Sequence, residues 1–232
     1  MDGLRTADVR KVEYLEFPTD PRFRGQQKVV NIIVHKSICD FKTHHKAGFN
    51  GALTSSYSWL LEFSYHYMFN DYIGLGGSVG SWKVWYEEGW ASGKNWNIDD
   101  DDNKPCNFYI RPSVILKTPA LNYSGCSWSL FAESGVMLNI PYQRVGIEST
   151  SKFPYVEYDY VSTSQGQWLA WDLRVGVSLE CGPCGVSAGY LMSNHDVYSQ
   201  YRHLSYNGIS FRDFYPRKPF MQGAYLSLSY NF

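Results

Sequence analysis

No stretch of this 232-residue chain approaches the ~18 consecutive apolar residues from which a membrane helix is built, so helical spanning is excluded. Nor is charge of one sign in excess. The 21 basic and 22 acidic residues leave a formal net charge of -1, too weak a field to favour nucleic acid as a partner. The first ten residues, Met1 to Arg10, contain no apolar core and cannot serve as a secretory signal. Either the chain is a soluble cytosolic protein or it is a mature chain whose export signal is absent, and the patterns below favour the second. Aromatic residues are what the chain has in quantity: 19 Tyr, 13 Phe and 8 Trp, groups favoured in strands and at membrane interfaces. The length suits one domain with an appendage.

The dominant pattern is alternation with a period of two, which marks strands whose two faces meet different surroundings. In residues 57 to 68, Tyr57, Trp59, Leu61, Phe63, Tyr65 and Tyr67 share one face, and Ser58, Leu60, Glu62, Ser64 and His66 the other. In residues 168 to 181, Leu169, Trp171, Leu173, Val175, Val177 and Leu179 oppose Ala170, Asp172, Arg174, Gly176, Ser178 and Glu180. The same pattern recurs over 107 to 117, 127 to 140, 185 to 193 and 220 to 232, with Ile115, Phe131, Met137 and Tyr225 as apolar exceptions on the polar side. Residues 72 to 86 place Gly74, Gly76, Ser78 and Gly80 on the polar side, which predicts interior space there. The first strand is assigned to residues 46 to 55, with 28 to 38 as a competitor. Eight strands result, with residues 1 to 40 as an N-terminal extension and 45 to 232 as the barrel.

Short connections (69 to 72, 118 to 126, 181 to 184) alternate with long polar ones (about 88 to 105, 141 to 167 and 197 to 218). Outer-membrane barrels show this asymmetry, with tight periplasmic turns and longer external loops. The fold expected is therefore all-β, an eight-stranded antiparallel transmembrane up-and-down barrel. A soluble eight-stranded barrel would turn its apolar groups inward around a ligand. Here the less apolar face carries Glu62, Arg111, Lys117, Glu133, Asp172, Arg174 and Glu180. Glu62, Arg111, Glu133 and Arg174 each lie seven residues from an inner turn, so they share one level near mid-membrane. A basic group facing lipid at that depth costs about 2 to 4 kcal/mol, so the charges are expected to face inward and plug a narrow lumen. A hairpin centred between 118 and 126 puts Arg111 directly opposite Glu133 as a cross-strand ion pair. Tyr67, Tyr72, Trp128, Tyr230 and Phe232 fall at inner strand ends and Trp59, Trp85, Phe108, Trp168 and Phe220 at outer ends, as interfacial girdles.

The last ten residues, Gly223-Ala-Tyr-Leu-Ser-Leu-Ser-Tyr-Asn-Phe232, resemble the terminal β-signal of outer-membrane proteins, with Leu228, Tyr230 and Phe232 as its assembly residues. That resemblance implies recognition by the barrel-assembly machinery, an outer-membrane location and contact with outer-membrane lipids and lipopolysaccharide. Residues Phe69-Asn-Asp-Tyr-Ile-Gly-Leu-Gly-Gly-Ser-Val-Gly80 resemble the first turn and Gly-rich strand of small barrels common in Bacteroidetes. Neither resemblance specifies an activity, because one barrel fold serves many functions. Membership of a larger envelope complex is left open.

Residues Tyr201-Arg-His-Leu-Ser-Tyr-Asn207 resemble the His-x-Ser-Asn signature of lipid A 3-O-deacylases. The resemblance implies His203 as base and Ser205 as nucleophile, since Ser needs an adjacent base to attack an ester. Two features depart from it: Tyr206 stands where the family has Asn, and Gln222 is the nearest equivalent of the expected orienting carboxylate, with Asp213 reachable only through loop folding. A non-enzymatic envelope or surface-interaction role is the preferred reading and the esterase the alternative. Cys181-Gly-Pro-Cys184 reproduces the thioredoxin tetrapeptide, but that chemistry requires a helix after the first Cys and strands flank it here. A tight Gly-Pro turn is the expectation; Cys181 and Cys184 are candidates for a local disulfide, with Cys126 as an alternative partner, and Cys39 and Cys106 complete an odd set of five. The run Asp99 to Asp102 matches no defined calcium loop and reads as a solvated external tip. No cofactor or metal is expected.

Overall fold

The computed structural model describes residues 9–16, 28–34, 44–105, 107–123, 125–152 and 155–232. An N-terminal hairpin pairs β1 (Val9–Glu16) with β2 (Lys28–Val34). Next come β3 (His45–Thr54), β4 (Ser58–Met68) and β5 (Ile73–Val84), each paired to the one before. The chain then forms β6 (Ser92–Gly93) and β7 (Trp96–Pro105) outside that sheet, returns through β8 (Phe108–Lys117), and passes the short β9 (Leu121–Tyr123) into β10 (Cys126–Asn139). A second excursion makes β11 (Gln143–Lys152) and β12 (Tyr155–Thr163), before the long pair β13 (Leu169–Cys181) and β14 (Cys184–Ser193). A third carries the two-residue strands β15 (Ser205–Tyr206) and β16 (Ile209–Ser210), and β17 (Met221–Asn231) ends the chain.

Eight of these strands close on themselves in the order β13-β14-β17-β3-β4-β5-β8-β10, with β10 pairing back to β13. All pairings in the ring are antiparallel. Closure removes every edge, so no row of backbone N–H and C=O groups is left to recruit another strand. The first barrel strand is the predicted one. The competing segment 28 to 38 contributes β2, which pairs with β1 and not with the barrel; its residues 35–38 lie outside the described residues.

The faces sort as the alternation predicts. In β8 every second residue from Phe108 to Leu116 is exposed, and Tyr109, Arg111, Ser113 and Ile115 between them are buried. Phe63 is 72 % exposed and Leu226 54 %, while Arg174 is 1 % exposed and Glu62 2 %. A water-soluble protein has the opposite distribution, because exposing an apolar side chain and burying a charge each cost free energy. Ile115, Phe131, Met137 and Tyr225, the apolar exceptions, are buried in the lumen.

The tight turns follow local chemistry. Between β4 and β5 the Asn70 Oδ1 accepts from the backbone N–H groups of Tyr72 and Ile73 at 2.8 and 2.9 Å, a side-chain mimic of a turn. Between β13 and β14 only Gly182 and Pro183 intervene, with Gly182 at φ +62°. Pro183 cannot take positive φ, so a type I′ turn is excluded and the II′ turn, with Gly first, remains.

Two sequence expectations need correction. The long connections are not simply polar loops: β12, β11, β7 and β6 form a four-stranded sheet in that order, and the acidic run from Asp99 to Asp102 lies within β7 and not at a loop tip. That sheet buries Trp96, Ile98, Val145 and Ile147 in one cluster with Leu204, Phe211 and the upper lumen residues Leu60, Trp82 and Tyr109. The apolar core therefore reaches the barrel's outer mouth. The interior space expected beside the Gly-rich β5 is occupied: a Cβ on Gly80 would lie 2.6 Å from Tyr109 Cζ and 2.7 Å from Glu62 Cγ.

Candidate functional site: the enclosed charge network and its outer cap

The middle of the lumen holds two arginines and three carboxylates, all at most 3 % exposed. Arg174, from β13, grips Glu62 of β4 with both terminal nitrogens, at 2.5 and 2.6 Å, and reaches Asp172 Oδ2 through Nε at 3.0 Å. Arg111, from β8, donates through Nε to Asp172 Oδ1 at 2.5 Å and through Nη1 to Glu133 of β10. Asp172 thus joins the two guanidinium groups. The Tyr109 hydroxyl donates to Glu62 Oε1 at 2.6 Å, Asn50 Nδ2 to Glu62 Oε2 at 3.3 Å, and Ser227 Oγ to Asn50 Oδ1 at 2.6 Å. His66 Nε2 lies 3.3 Å from Glu133 Oε1 and 3.0 Å from Ser113 Oγ. Side chains of β3, β4, β8, β10, β13 and β17 enter this network, while β5 and β14 contribute glycines and serines that leave room for it. Gly135 on β10 is a further opening, since a Cβ there would meet Arg111 Nε at 2.6 Å.

All five predicted cluster residues, Glu62, Arg111, Glu133, Asp172 and Arg174, come together. The predicted pairing does not hold in detail. Glu133 opposes Ile115 on β8 and Arg174 on β13, so Arg111 is not its direct cross-strand neighbour. The hairpin is not centred on its connection: β9 pairs Tyr123 with Cys126, and the turn falls at Gly125, φ +80°. Arg111 still reaches Glu133 because its side chain is long enough to run along the lumen. Asp172, flanked by both arginines, is the member that organises the pair.

A second cluster sits nearer the inner rim, where Lys46 and Lys117 share the Glu180 carboxylate, Lys46 at 3.2 Å. Between the clusters is a cavity of about 20 Å³ lined by Lys46, His66, Lys117, Glu133 and Tyr225, room for a single water. Charged side chains thus occupy the lumen at two levels.

The outer mouth is covered by residues 194–220. His195 is buried against Trp82, ring centroids 5.0 Å apart, with Asn139 Nδ2 3.4 Å from its Nδ1. Burial pushes its pKa down to about 4 against a smaller opposing pull from Asp196. Asp196 anchors the cap by accepting from Arg202 at 2.6 and 3.2 Å and from the Tyr198 backbone N–H at 3.2 Å. Tyr201 stacks on Tyr215 at 4.5 Å. The seat of His195 is not readable from local sequence, because Trp82 and Asn139 come from distant strands; the contacts within 194–220 are closer in sequence, and the aromatic spacing of Tyr198, Tyr201, Tyr206 and Tyr215 hints at them.

His203 and Ser205 lie in this cap. His203 sits in a single 3-10 turn (Tyr201–His203) and its Nδ1 donates to the Ser199 carbonyl at 2.7 Å. Ser205 is exposed on β15 opposite Ser210. Among the described residues no hydrogen bond joins His203 to Ser205, and a carbonyl occupies the place of the orienting carboxylate. Leu228, Tyr230 and Phe232 are all exposed on the outer face at the end of the last strand, where the Phe232 N–H donates to the His45 carbonyl at 2.8 Å.

The disulfide is Cys126–Cys181, and Cys184 is a free, exposed thiol. The Cys181–Cys184 pairing expected from the tetrapeptide is therefore incorrect. Cys126 and Cys181 face each other across the β10–β13 seam with Cα atoms 4.4 Å apart, within bonding range. Cys39 and Cys106 lie outside the described residues.

No protein-family model matches the sequence. A comparison with curated proteins finds no match. Among solved structures, the chain is similar to the N-terminal β-barrel domain of Pseudomonas aeruginosa OprF, with a TM-score of 0.38 and 10 % identity over 81 % of this chain and 96 % of that one. It is also similar to Neisserial surface protein A (NspA), with a TM-score of 0.39 and 14 % identity over 81 % of this chain and 96 % of that one. The barrel itself is defined by the closed pairing of this chain's own strands.

Proposed function

We propose that the chain is a non-enzymatic outer-membrane β-barrel of a Gram-negative bacterium, of the small Bacteroidetes type, with an envelope-structural or surface-interaction role carried by its outer cap. One observation carries this reading: the closed barrel exposes apolar side chains around its whole circumference and encloses its ions. Water would penalise that arrangement and acyl chains reward it. A lumen filled by hydrogen-bonded ion pairs favours a rigid post over a diffusion pore. The cap, together with the four-stranded sheet packed against it, is the part large enough to meet a partner outside. Lipid, lipopolysaccharide and the barrel-assembly machinery are the partners this role requires, the last through Leu228, Tyr230 and Phe232.

Fractionation and conductance test the proposal together. The full chain should partition with outer membranes, show a boiling-dependent shift in gel mobility, and give no stable conductance steps in a planar bilayer. Stable open-channel steps would overturn the plugged-lumen reading. A folded, detergent-free monomer in buffer would overturn the membrane reading.

A further inference from the structure

Cys181 stands directly opposite two cysteines at once, one on each neighbouring strand. Across the β10–β13 seam its register partner is Cys126, with which it is bonded. Across the β13–β14 hairpin its register partner is Cys184, the free thiol. The parity of all three strands puts the three side chains on the outer face: exposed Trp128, Val177 and Val186 lie at even spacings from Cys126, Cys181 and Cys184. Residues directly opposite in antiparallel strands have Cα atoms about 4.5 to 5.5 Å apart, inside the range a disulfide accepts. Both bonds to Cys181 are thus open to the same backbone.

We propose that Cys126, Cys181 and Cys184 form a thiol–disulfide exchange site at the inner rim, in which the bond to Cys181 migrates between the two flanking strands. The Cys184 thiol loses its proton to solvent, its thiolate attacks the Cys181 sulfur, the Cys126–Cys181 bond breaks, and Cys126 leaves as a thiolate that takes up a proton. One S–S bond forms and one breaks, so neither oxidant nor reductant is consumed. The consequence is mechanical as well as chemical. In one isomer the covalent bond staples the β10–β13 seam; in the other it lies within the β13–β14 hairpin and the seam is held by hydrogen bonds alone. The reactive thiol presented to other thiol-bearing proteins changes strand accordingly. The exposure of Cys181 and Cys184 leaves the site open to such partners. The proposal stands on register and not on the membrane reading.

The test is peptide mapping of the full chain, folded in detergent, held at pH 8 for several hours and then labelled with N-ethylmaleimide. Trypsin leaves Cys126 in the peptide 118–144, and Cys181 with Cys184 in the peptide 175–202, because no Lys or Arg falls within either. The bond in place now links the two peptides and leaves the label on Cys184. The migrated bond lies inside 175–202, and the label moves to 118–144. The proposal predicts label on Cys126 in roughly a tenth of the chains or more, the share expected when the two bonds differ by no more than about 1.4 kcal/mol. Label on Cys184 with none on Cys126 would overturn it. A Cys126→Ser chain equilibrated with oxidised glutathione, which supplies the oxidant its two remaining thiols need, gives an independent reading: an internal bond in 175–202 supports the site, and two thiols there, free or capped by glutathione, contradict it.

Discussion

Glu133 and Arg174 face each other directly across the β10–β13 pair, yet each makes its hydrogen bonds elsewhere: Arg174 reaches over the lumen to Glu62, and Glu133 is held by Arg111. The cross-strand neighbour is passed over because the lumen is narrow enough for long side chains to span it, and a bidentate guanidinium–carboxylate fit outweighs proximity. The network is therefore a transverse brace between opposite walls, and its loss should be felt by the whole barrel.

Arg174→Met removes the brace and leaves Glu62 buried without its main counter-charge, while Asp172 keeps Arg111. Breaking a buried pair by deleting one partner costs about 3 to 5 kcal/mol. The thermal midpoint in detergent should fall markedly. Adding Glu62→Gln to Arg174→Met should recover a good part of that loss, because the uncompensated charge is gone. Strictly additive effects of the two substitutions, read from unfolding in a double-mutant cycle, would contradict the direct pairing.

Gly80→Ala places a methyl group 2.6 Å from the Tyr109 ring and 2.7 Å from Glu62 Cγ. Overpacking of this kind costs about 1 to 3 kcal/mol. Gly51→Ala, on the outer face of β3, meets nothing closer than Leu61 Cδ2 at 3.7 Å. The first substitution should lower refolding yield, measured as the heat-modifiable fraction on a gel, and the second should leave it unchanged.

His195 makes the cap sensitive to acid. Its pKa falls from an ordinary 6.5 to about 4 on burial, so the unfolded cap binds a proton where the folded one does not. Its contribution is fully present above pH 6.5 and is lost as the pH falls towards 4, by roughly 3 kcal/mol in all. Hydrogen exchange across residues 194–204, corrected for intrinsic rate, should rise through that window relative to the barrel strands. In His195→Gln the rise should disappear.

Asp196 ties Arg202 and the backbone of Tyr198 into one turn. Asp196→Ala should loosen the cap by about 1 to 3 kcal/mol without disturbing the lumen. Limited trypsin digestion should then cut faster after Arg212 and Arg217, both exposed, while the heat-modifiable mobility of the barrel stays as it was.

The barrel strands were legible because each has two unlike faces, and that difference is written residue by residue: β8 reads Phe108, Ile110, Pro112, Val114 and Leu116 outward against Tyr109, Arg111, Ser113 and Ile115 inward. The charged level was legible for the same reason. Which arginine meets which carboxylate was not, since that depends on the asymmetric turn at Gly125 and on side-chain reach across the lumen. The outer sheet is not legible in the sequence because its buried residues are few, Trp96 and Ile98 in one excursion and Val145 and Ile147 in another, and their partner Phe211 arrives from a third. The choice of disulfide partner was not legible, because a four-residue motif suggests a local bond, whereas the β10–β13 register brings Cys126 to Cys181 from 55 residues away. Gly80 illustrates a further limit, since the sequence displays the missing side chain of a strand but not the neighbour that fills its place.

Contact between the apolar outer face and acyl chains can be read out by photochemistry at that face. A benzophenone amino acid at Phe63, in the middle of the outward face of β4, and another at Tyr158, exposed on the outer sheet, are irradiated in cells with the chain in its native envelope. A phospholipid or lipopolysaccharide acyl adduct is expected at position 63 and none at position 158. Absence of any lipid adduct at position 63 would contradict that contact.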